Sequence, residues 1–126
     1  MDPLEKISAL EYEADAFGFR WENTSQIMVQ IQNECAEIDE QLNHKPGQLA
    51  TFELQEEIGD LLHAVFSLCV FCKLSPRDTL EKTLVKFERR LNAVKKITED
   101  NGLPNLEGHS FDELMHIWKK AKQLVG

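Results

Sequence analysis

The sequence predicts an all-α fold, an antiparallel bundle of about five helices. Three observations lead there. Apolar residues recur at three- and four-residue spacing along most of the 126-residue chain. Helix-capping signals punctuate it at intervals that suit helices of ordinary length. No stretch sustains the two-residue alternation of a half-buried strand. The length favours one domain spanning residues 1–126.

Each helix has its own start and stop. Asp2-Pro3 supplies an N-cap and a first-turn proline, Ile7, Leu10, Ala14 and Phe17 follow at helical spacing, and Gly18 ends the segment. "FGFRWENTS" reads as a loop whose aromatics need burial. Asn23 and Gln26 have capping-box spacing and open a second helix, from about Thr24 to Asn43, with Ile27, Ile31, Cys35, Ile38 and Leu42 at apolar positions. Pro46 and Gly47 in "NHKPGQ" break it. A third helix is expected from about Ala50 to Lys73, charged in its first half and nearly all apolar in its second. A helix that is apolar all round must be covered on every side, and self-association is one way to cover it. Ser75-Pro76-Arg77-Asp78 opens a fourth helix with a stripe of Leu80, Leu84, Phe87, Leu91 and Val94, closed by Asn101-Gly102. Ser110 and Glu113 repeat the capping box and open the last, with Leu114, Ile117 and Leu124.

Composition narrows the function classes. Apolar residues at 42% and charged residues at 29% fit a soluble globular protein. The longest apolar stretch, Leu61 to Leu74, is interrupted by His63, Ser67 and Lys73, so no membrane span is expected. "MDPLEKISAL" has no signal-peptide pattern, which points to the cytoplasm. A net charge of −8 repels a nucleic-acid duplex, so none is expected as partner. An acidic protein that binds a polyanion needs a divalent cation between them. Cys35, Cys69 and Cys72 are odd in number and argue against a disulfide framework; Cys69 and Cys72 read as small hydrophobes in an apolar helix.

The chemistry concentrates in two acidic steps. Glu34 and Glu37 are three apart, so their Cβ atoms lie roughly 5–6 Å from each other on one helix face. Glu57 and Asp60 repeat the step on the third helix, beside Glu56. Both pairs sit among apolar residues, Ile31, Cys35 and Ile38 for the first and Leu54, Leu61 and Leu62 for the second. In an antiparallel hairpin turning near Pro46, the pairs reach similar depth and the four carboxylates converge. Two such charges 4 Å apart repel by about 4 kcal/mol at an effective dielectric near 20. A hard divalent cation with oxygen ligands offsets that repulsion, and Mg²⁺ commonly does so together with substrate phosphates. The competing reading, that glutamates simply solvate a helix face, is strong for one pair and weaker for two at matched depth.

Other residues say less by themselves. Lys86 and Arg90 share a face of the fourth helix, and Trp118 and Lys122 a face of the last. Cations suit phosphates and a tryptophan can stack on a base, but on spacing alone these are ordinary surface pairs and a half-buried tryptophan. His63 follows Asp60 by three; a di-iron bundle needs a Glu-x-x-His motif from each of two helices, so His63 reads as a hydrogen-bonded core or edge residue.

With these residues in view, the chain resembles the MazG family of all-α nucleoside triphosphate pyrophosphohydrolases. The family pattern E-E-x-x-E, spacer, E-x-x-D is met here by Asn33-Glu34-Cys35-Ala36-Glu37 and Glu57-Ile58-Gly59-Asp60. "GFRW", "EEIGDLLHAVFSL", "KFERRL" and "ELMHIWKKAK" extend the likeness from about Phe17 to Lys122, most closely to the C-terminal domain of bacterial MazG. The resemblance implies Mg²⁺-dependent cleavage of a nucleoside triphosphate to the monophosphate and pyrophosphate. It implies Mg²⁺ ligation by Glu34, Glu37, Glu57 and Asp60, with Glu37 and Glu57 as candidate catalytic carboxylates. By the same likeness, Lys86 and Arg90 hold the triphosphate and Trp118 and Lys122 complete the nucleotide site. It also implies a homodimer or larger homo-oligomer. Two features depart from or blur the pattern: Asn33 replaces the first glutamate, and Glu40 offers a second possible register, of which the Glu34–Glu37 step is preferred for its flanking isoleucines. Asn33 also sustains an alternative, a non-catalytic nucleotide-binding or regulatory helical dimer that keeps the fold.

Overall fold

The computed structural model describes residues 1–44 and 51–126. Five helices follow in order: α1 (Pro3–Phe17), α2 (Thr24–His44), α3 (Thr51–Phe71), α4 (Pro76–Asp100) and α5 (Phe111–Val125). Among the described residues there is no strand. The fold is all-α. The "NHKPGQ" break with Pro46 and Gly47, and the start of the third helix at Ala50, lie outside the described residues.

The caps explain the boundaries. Asp2 Oδ1 accepts the Glu5 N–H at 2.9 Å, satisfying one of the free donors of the first turn. Gly18 takes φ 96°, a left-handed backbone that costs a side-chain-bearing residue about 1–2 kcal/mol, and its N–H reaches back to the Asp15 carbonyl. Asn23 Oδ1 accepts the Gln26 N–H at 3.0 Å, and Gln26 Oε1 accepts the Glu22 N–H at 2.8 Å, a capping box whose return bond lands one residue before the cap. Ser75 Oγ accepts the Asp78 N–H, and Ser110 Oγ accepts the Glu113 N–H while donating to its carboxylate.

The chain forms two compact units, residues 1–79 and 80–126. In the first, α3 is the central element: α2 packs against it, and so does α1. Both neighbours run antiparallel to it. Asp2 pairs with Arg77 beyond the end of α3, whereas Glu11 reaches His63 and Ser67 further back along it. Glu37 meets Glu57, whereas Glu34, a turn earlier, lies in the field of Asp60. Ile27, Ala64, Cys69 and Val70 form the buried apolar set, with Ser67 buried among them.

Cys35 differs from its expected apolar position: it is exposed, while Glu34 beside it is buried. Neighbouring side chains on a helix point about 100° apart, so turning Glu34 inward turns Cys35 out. Cys72 is likewise exposed and Cys69 buried, and all three cysteines are free. Much of the apolar half of α3 stays open in the single chain, Leu62 and Val65 included. In the second unit Ala93, Thr98 and Ala121 are buried. Phe87 packs on Trp118 with ring centroids 5.8 Å apart, and Arg89 Nε donates to the Val125 carbonyl. Leu84 and Phe87 of the expected α4 stripe are more than half exposed, so that stripe is only partly covered within the chain. Among the described residues no single helix is long and apolar enough to cross a membrane.

Ile27 is fully buried, so Ile27→Ala should cost about 2–5 kcal/mol, through lost burial and the cavity left behind. Ser110→Ala should cost about 1 kcal/mol through the lost cap. Urea unfolding checks both as a lowered midpoint at unchanged slope.

Candidate functional site

The acidic steps of α2 and α3 face each other in the first unit. Glu34, Glu37 and Glu57 each offer a carboxylate oxygen, and these oxygens all lie within 4.8 Å of one another. Glu34 is buried, Glu57 half-buried and Glu37 exposed at the mouth of the group. Asp60 lies outside this tightest trio, but its charge acts on both Glu34 and Glu57. Of the two possible registers on α2, the one that converges with α3 contains Glu34 and Glu37; Glu40 is not a member of the trio.

The electrostatics are unfavourable to three anions. Burial, then the charges of Glu37 and Asp60, hold the Glu34 carboxyl above its ordinary value of 4.5. Glu57 is also raised, first by a hydrogen bond shared with Glu37, then by burial and the same negative neighbours. Gln30 Nε2 donates to Glu34 Oε1 at 2.6 Å and opposes the shift in part. The other oxygens, Glu34 Oε2 and Glu57 Oε2, are buried without a hydrogen-bond partner among the described residues. A buried acceptor left unpaired costs roughly 1–3 kcal/mol, more when charged. Two such oxygens on facing helices, in an all-oxygen donor set, have the chemistry that a hard divalent cation satisfies.

Beside the carboxylates lies a cavity of about 700 Å³. Glu34 and Asp60 form part of its wall, Phe19 and Trp21 supply aromatic surface, and Glu11 and His63 supply polar groups. A volume of this size lies in the range of small-molecule sites. Gly18 ends α1 in a left-handed turn, and Phe19, Arg20 and Trp21, which follow it, line this cavity.

The remaining expected site residues belong to the second unit. Arg90 is half-buried; its guanidinium carbon is 5.9 Å from the Trp118 ring centroid, and its Nε donates to the Gly126 carbonyl at 3.1 Å. Arg90 and half-buried Trp118 are thus brought together. Lys86 and Lys122 are exposed on the same unit.

The model of the MazG nucleotide pyrophosphohydrolase domain matches residues 22–95, more than half of the chain. The chain belongs to the MazG family. The matched span holds Glu34, Glu37, Glu57, Asp60, Lys86 and Arg90; Trp118 and Lys122 fall beyond it. Among MazG-related proteins, the chain is 30% identical over 119 residues to the nucleoside triphosphate pyrophosphohydrolase/pyrophosphatase MazG of Thermotoga maritima. That match takes in 94% of this chain and 44% of the relative. It is 27% identical over 120 residues to the nucleoside triphosphate pyrophosphohydrolase of Escherichia coli, covering 95% of this chain and again 44% of the relative. A third similarity, 30% over 70 residues, is to the uncharacterized protein YabN of Bacillus subtilis and takes in 56% of this chain and 14% of that protein. The chain therefore spans less than half the length of the curated MazG relatives it matches.

Sequence reasoning did not assign site roles to Gln30, Glu11, Arg20 or Trp21. Gln30 was within reach of such reasoning, since it stands one helical turn before Glu34. Trp21 left a trace as an aromatic loop needing burial. Glu11 left none, because its partners His63 and Ser67 lie 52 and 56 residues away.

The raised carboxyls set the sign of a pH effect. A folded-state value above the unfolded one means that the native protein holds more protons in the window above pH 4.5, so stability falls as pH rises through it. In cation-free buffer, wild type should therefore lose melting temperature relative to Glu34→Gln as pH rises from 4.5. Added Mg²⁺ should raise the melting temperature of wild type and leave that of Glu34→Gln nearly unchanged. Calorimetry across pH, with and without the cation, checks this.

Proposed function

We propose that the chain is a Mg²⁺-dependent nucleoside triphosphate pyrophosphohydrolase, turning a ribo- or deoxyribonucleoside triphosphate and water into the monophosphate and pyrophosphate. The observation that carries this reading is the pair of buried oxygens, Glu34 Oε2 and Glu57 Oε2, with no hydrogen-bond partner among the described residues, in a carboxylate trio beside a nucleotide-sized cavity. The names of the Thermotoga maritima and Escherichia coli relatives support the same reaction.

Glu34, Glu37, Glu57 and Asp60 are the residues that would hold Mg²⁺. When bound, the ion supplies positive charge to the phosphates and makes a water more acidic. The remaining work falls to the chain. Water oxygen bonds to the α-phosphorus while the bond from that phosphorus to the bridging oxygen breaks, and the pair of electrons leaves with pyrophosphate. Glu37 and Glu57 are our candidates for accepting the water's proton: their oxygens lie in the converging trio, and Glu57 is held above its ordinary value first by its hydrogen bond with Glu37 and then by burial, so it retains more basicity. Lys86 and Arg90 are assigned to the charge that develops on pyrophosphate. Trp118 and Lys122 are assigned to the rest of the nucleotide, and Trp21 to a face of the base. On this reading residues 1–126 act as one functional domain in the cytoplasm, where nucleoside triphosphates are made and used.

A second copy of the chain is the proposed cover for the open apolar side of α3, where Leu62 is 53% and Val65 40% exposed. Exposed side chains of this kind on one helix favour a homodimer over a monomer. The alternative, a helical dimer that binds nucleotide without turnover, draws on Asn33, which offers an amide where the family pattern has a carboxylate.

Two experiments follow. Wild type with Mg²⁺ and a triphosphate should release pyrophosphate, not orthophosphate; EDTA should abolish release, and Glu57→Ala should lower kcat by about 100-fold or more. A Glu57→Ala protein with full activity would contradict the assignment, and nucleotide-induced thermal stabilisation with no pyrophosphate would favour the regulator. Sedimentation equilibrium should give a dimer for wild type and a shift toward monomer for Leu62→Glu.

A further inference from the structure

The cavity has a second polar element, apart from the carboxylates proposed for the cation. Glu11 of α1 and His63 and Ser67 of α3 line it, Ser67 being the most buried of the three. Ser67 is buried, and its Oγ donates to Glu11 Oε1 at 2.6 Å. His63 Nε2 lies 2.9 Å from the same oxygen, and a proton on Nε2 makes it a second donor. One oxygen of Glu11 thus collects both internal bonds, and Oε2 has no hydrogen-bond partner among the described residues. The Glu11 side chain is 19% exposed, so it is withdrawn from most but not all contact with water. Two bonds to one oxygen fix the carboxylate in direction and leave its second oxygen as an acceptor at the cavity wall.

Position along α3 says what that acceptor meets. Asp60, His63, Ala64 and Ser67 recur at helical spacing on one face. The rise from Asp60 to Ser67 is about 10 Å at 1.5 Å per residue, roughly one nucleoside long. With the phosphates at the carboxylate end and the base against Trp21, the far edge of the base reaches the Glu11 level.

We propose that Glu11 is a specificity-determining residue that accepts a hydrogen bond from the exocyclic amino group of the substrate's base. This rests on the pyrophosphohydrolase reading above. A carboxylate pairs with the amino group of cytosine or adenine. It repels the carbonyl oxygen that uracil or hypoxanthine presents at the same place, since neither group has a proton to share. Arg20, the cation on this wall, would favour the carbonyl. However, its Nε is 3.8 Å from Asp15 Oδ1 and its side chain is 60% exposed, so its pull is shared and screened. Gln30 is committed to Glu34. The less solvated Glu11 therefore sets the preference. Ser67 and His63 are positioning residues: they act only by holding Glu11.

The test compares pairs of triphosphates that differ by amino against carbonyl: CTP with UTP, and ATP with inosine triphosphate. Pyrophosphate release by the full chain with Mg²⁺ is the readout. A hydrogen bond to a charged acceptor is worth roughly a factor of 10–100, so kcat/KM should favour the amino member of each pair by about that much. Glu11→Gln, whose amide both donates and accepts, should bring both ratios close to one. His63→Ala, at a side chain 64% exposed, should lower both ratios in part, and serves if Glu11→Gln folds poorly. A purely structural role for these residues would reduce turnover of all four substrates alike and leave the ratios standing. Equal rates on both members of each pair in wild type, or ratios unchanged in Glu11→Gln, overturn the proposal while leaving the pyrophosphohydrolase reading intact. Release from none of the four removes the reading and this inference with it.

Discussion

The first unit is organised around a repulsion. Glu34 is 7% exposed and faces Glu37, Glu57 and Asp60 without a compensating cation from the described chain. A buried charge with no partner is among the costlier things a small domain can carry. It persists because the surrounding structure fixes it: Ile27 and Ala64 anchor α2 and α3 on either side, and Gln30 holds one oxygen in place. Local destabilisation held by a rigid frame is a common property of functional sites. The helix pair is in effect spring-loaded against its own carboxylates.

That frame also divides the labour along α3. Its acidic turn carries Glu57 and Asp60, the next turn carries His63 and Ala64, and Ser67 closes the stripe in the buried interior. The polarity falls from charge to hydroxyl over about two turns. A nucleotide has the same gradient, anionic at the phosphates and flatter and less polar at the base. α1 and the Gly18–Trp21 turn complete the wall, and neither needs to approach the carboxylate trio to do so.

Most of the fold was legible because helix ends carry local chemistry. Asp2-Pro3, Asn23 with Gln26, Ser75-Pro76 and Ser110 with Glu113 are short-range devices, and each opens its helix in the structure. The acidic steps were legible for a related reason: a three-residue spacing puts two carboxylates on one face whatever the helix packs against. Their meeting needed only a hairpin. The exposure of Cys35 was not legible, because an apolar-periodicity argument places a cysteine inside even where the glutamate beside it turns in. The cavity wall was hidden more deeply. Glu11, His63 and Ser67 are joined across the chain by tertiary contacts that no local pattern announces, and Trp21 acquires its surroundings only after α1 docks.

α1 itself contributes no fully buried side chain. It is fastened at two polar points, Asp2 with Arg77 in the first turn of α4 and Glu11 with His63 and Ser67 of α3. An element held by clasps instead of a greasy core opens at a fraction of the free energy needed to unfold the whole. α1 is therefore the part of the pocket wall that local opening reaches at the least cost.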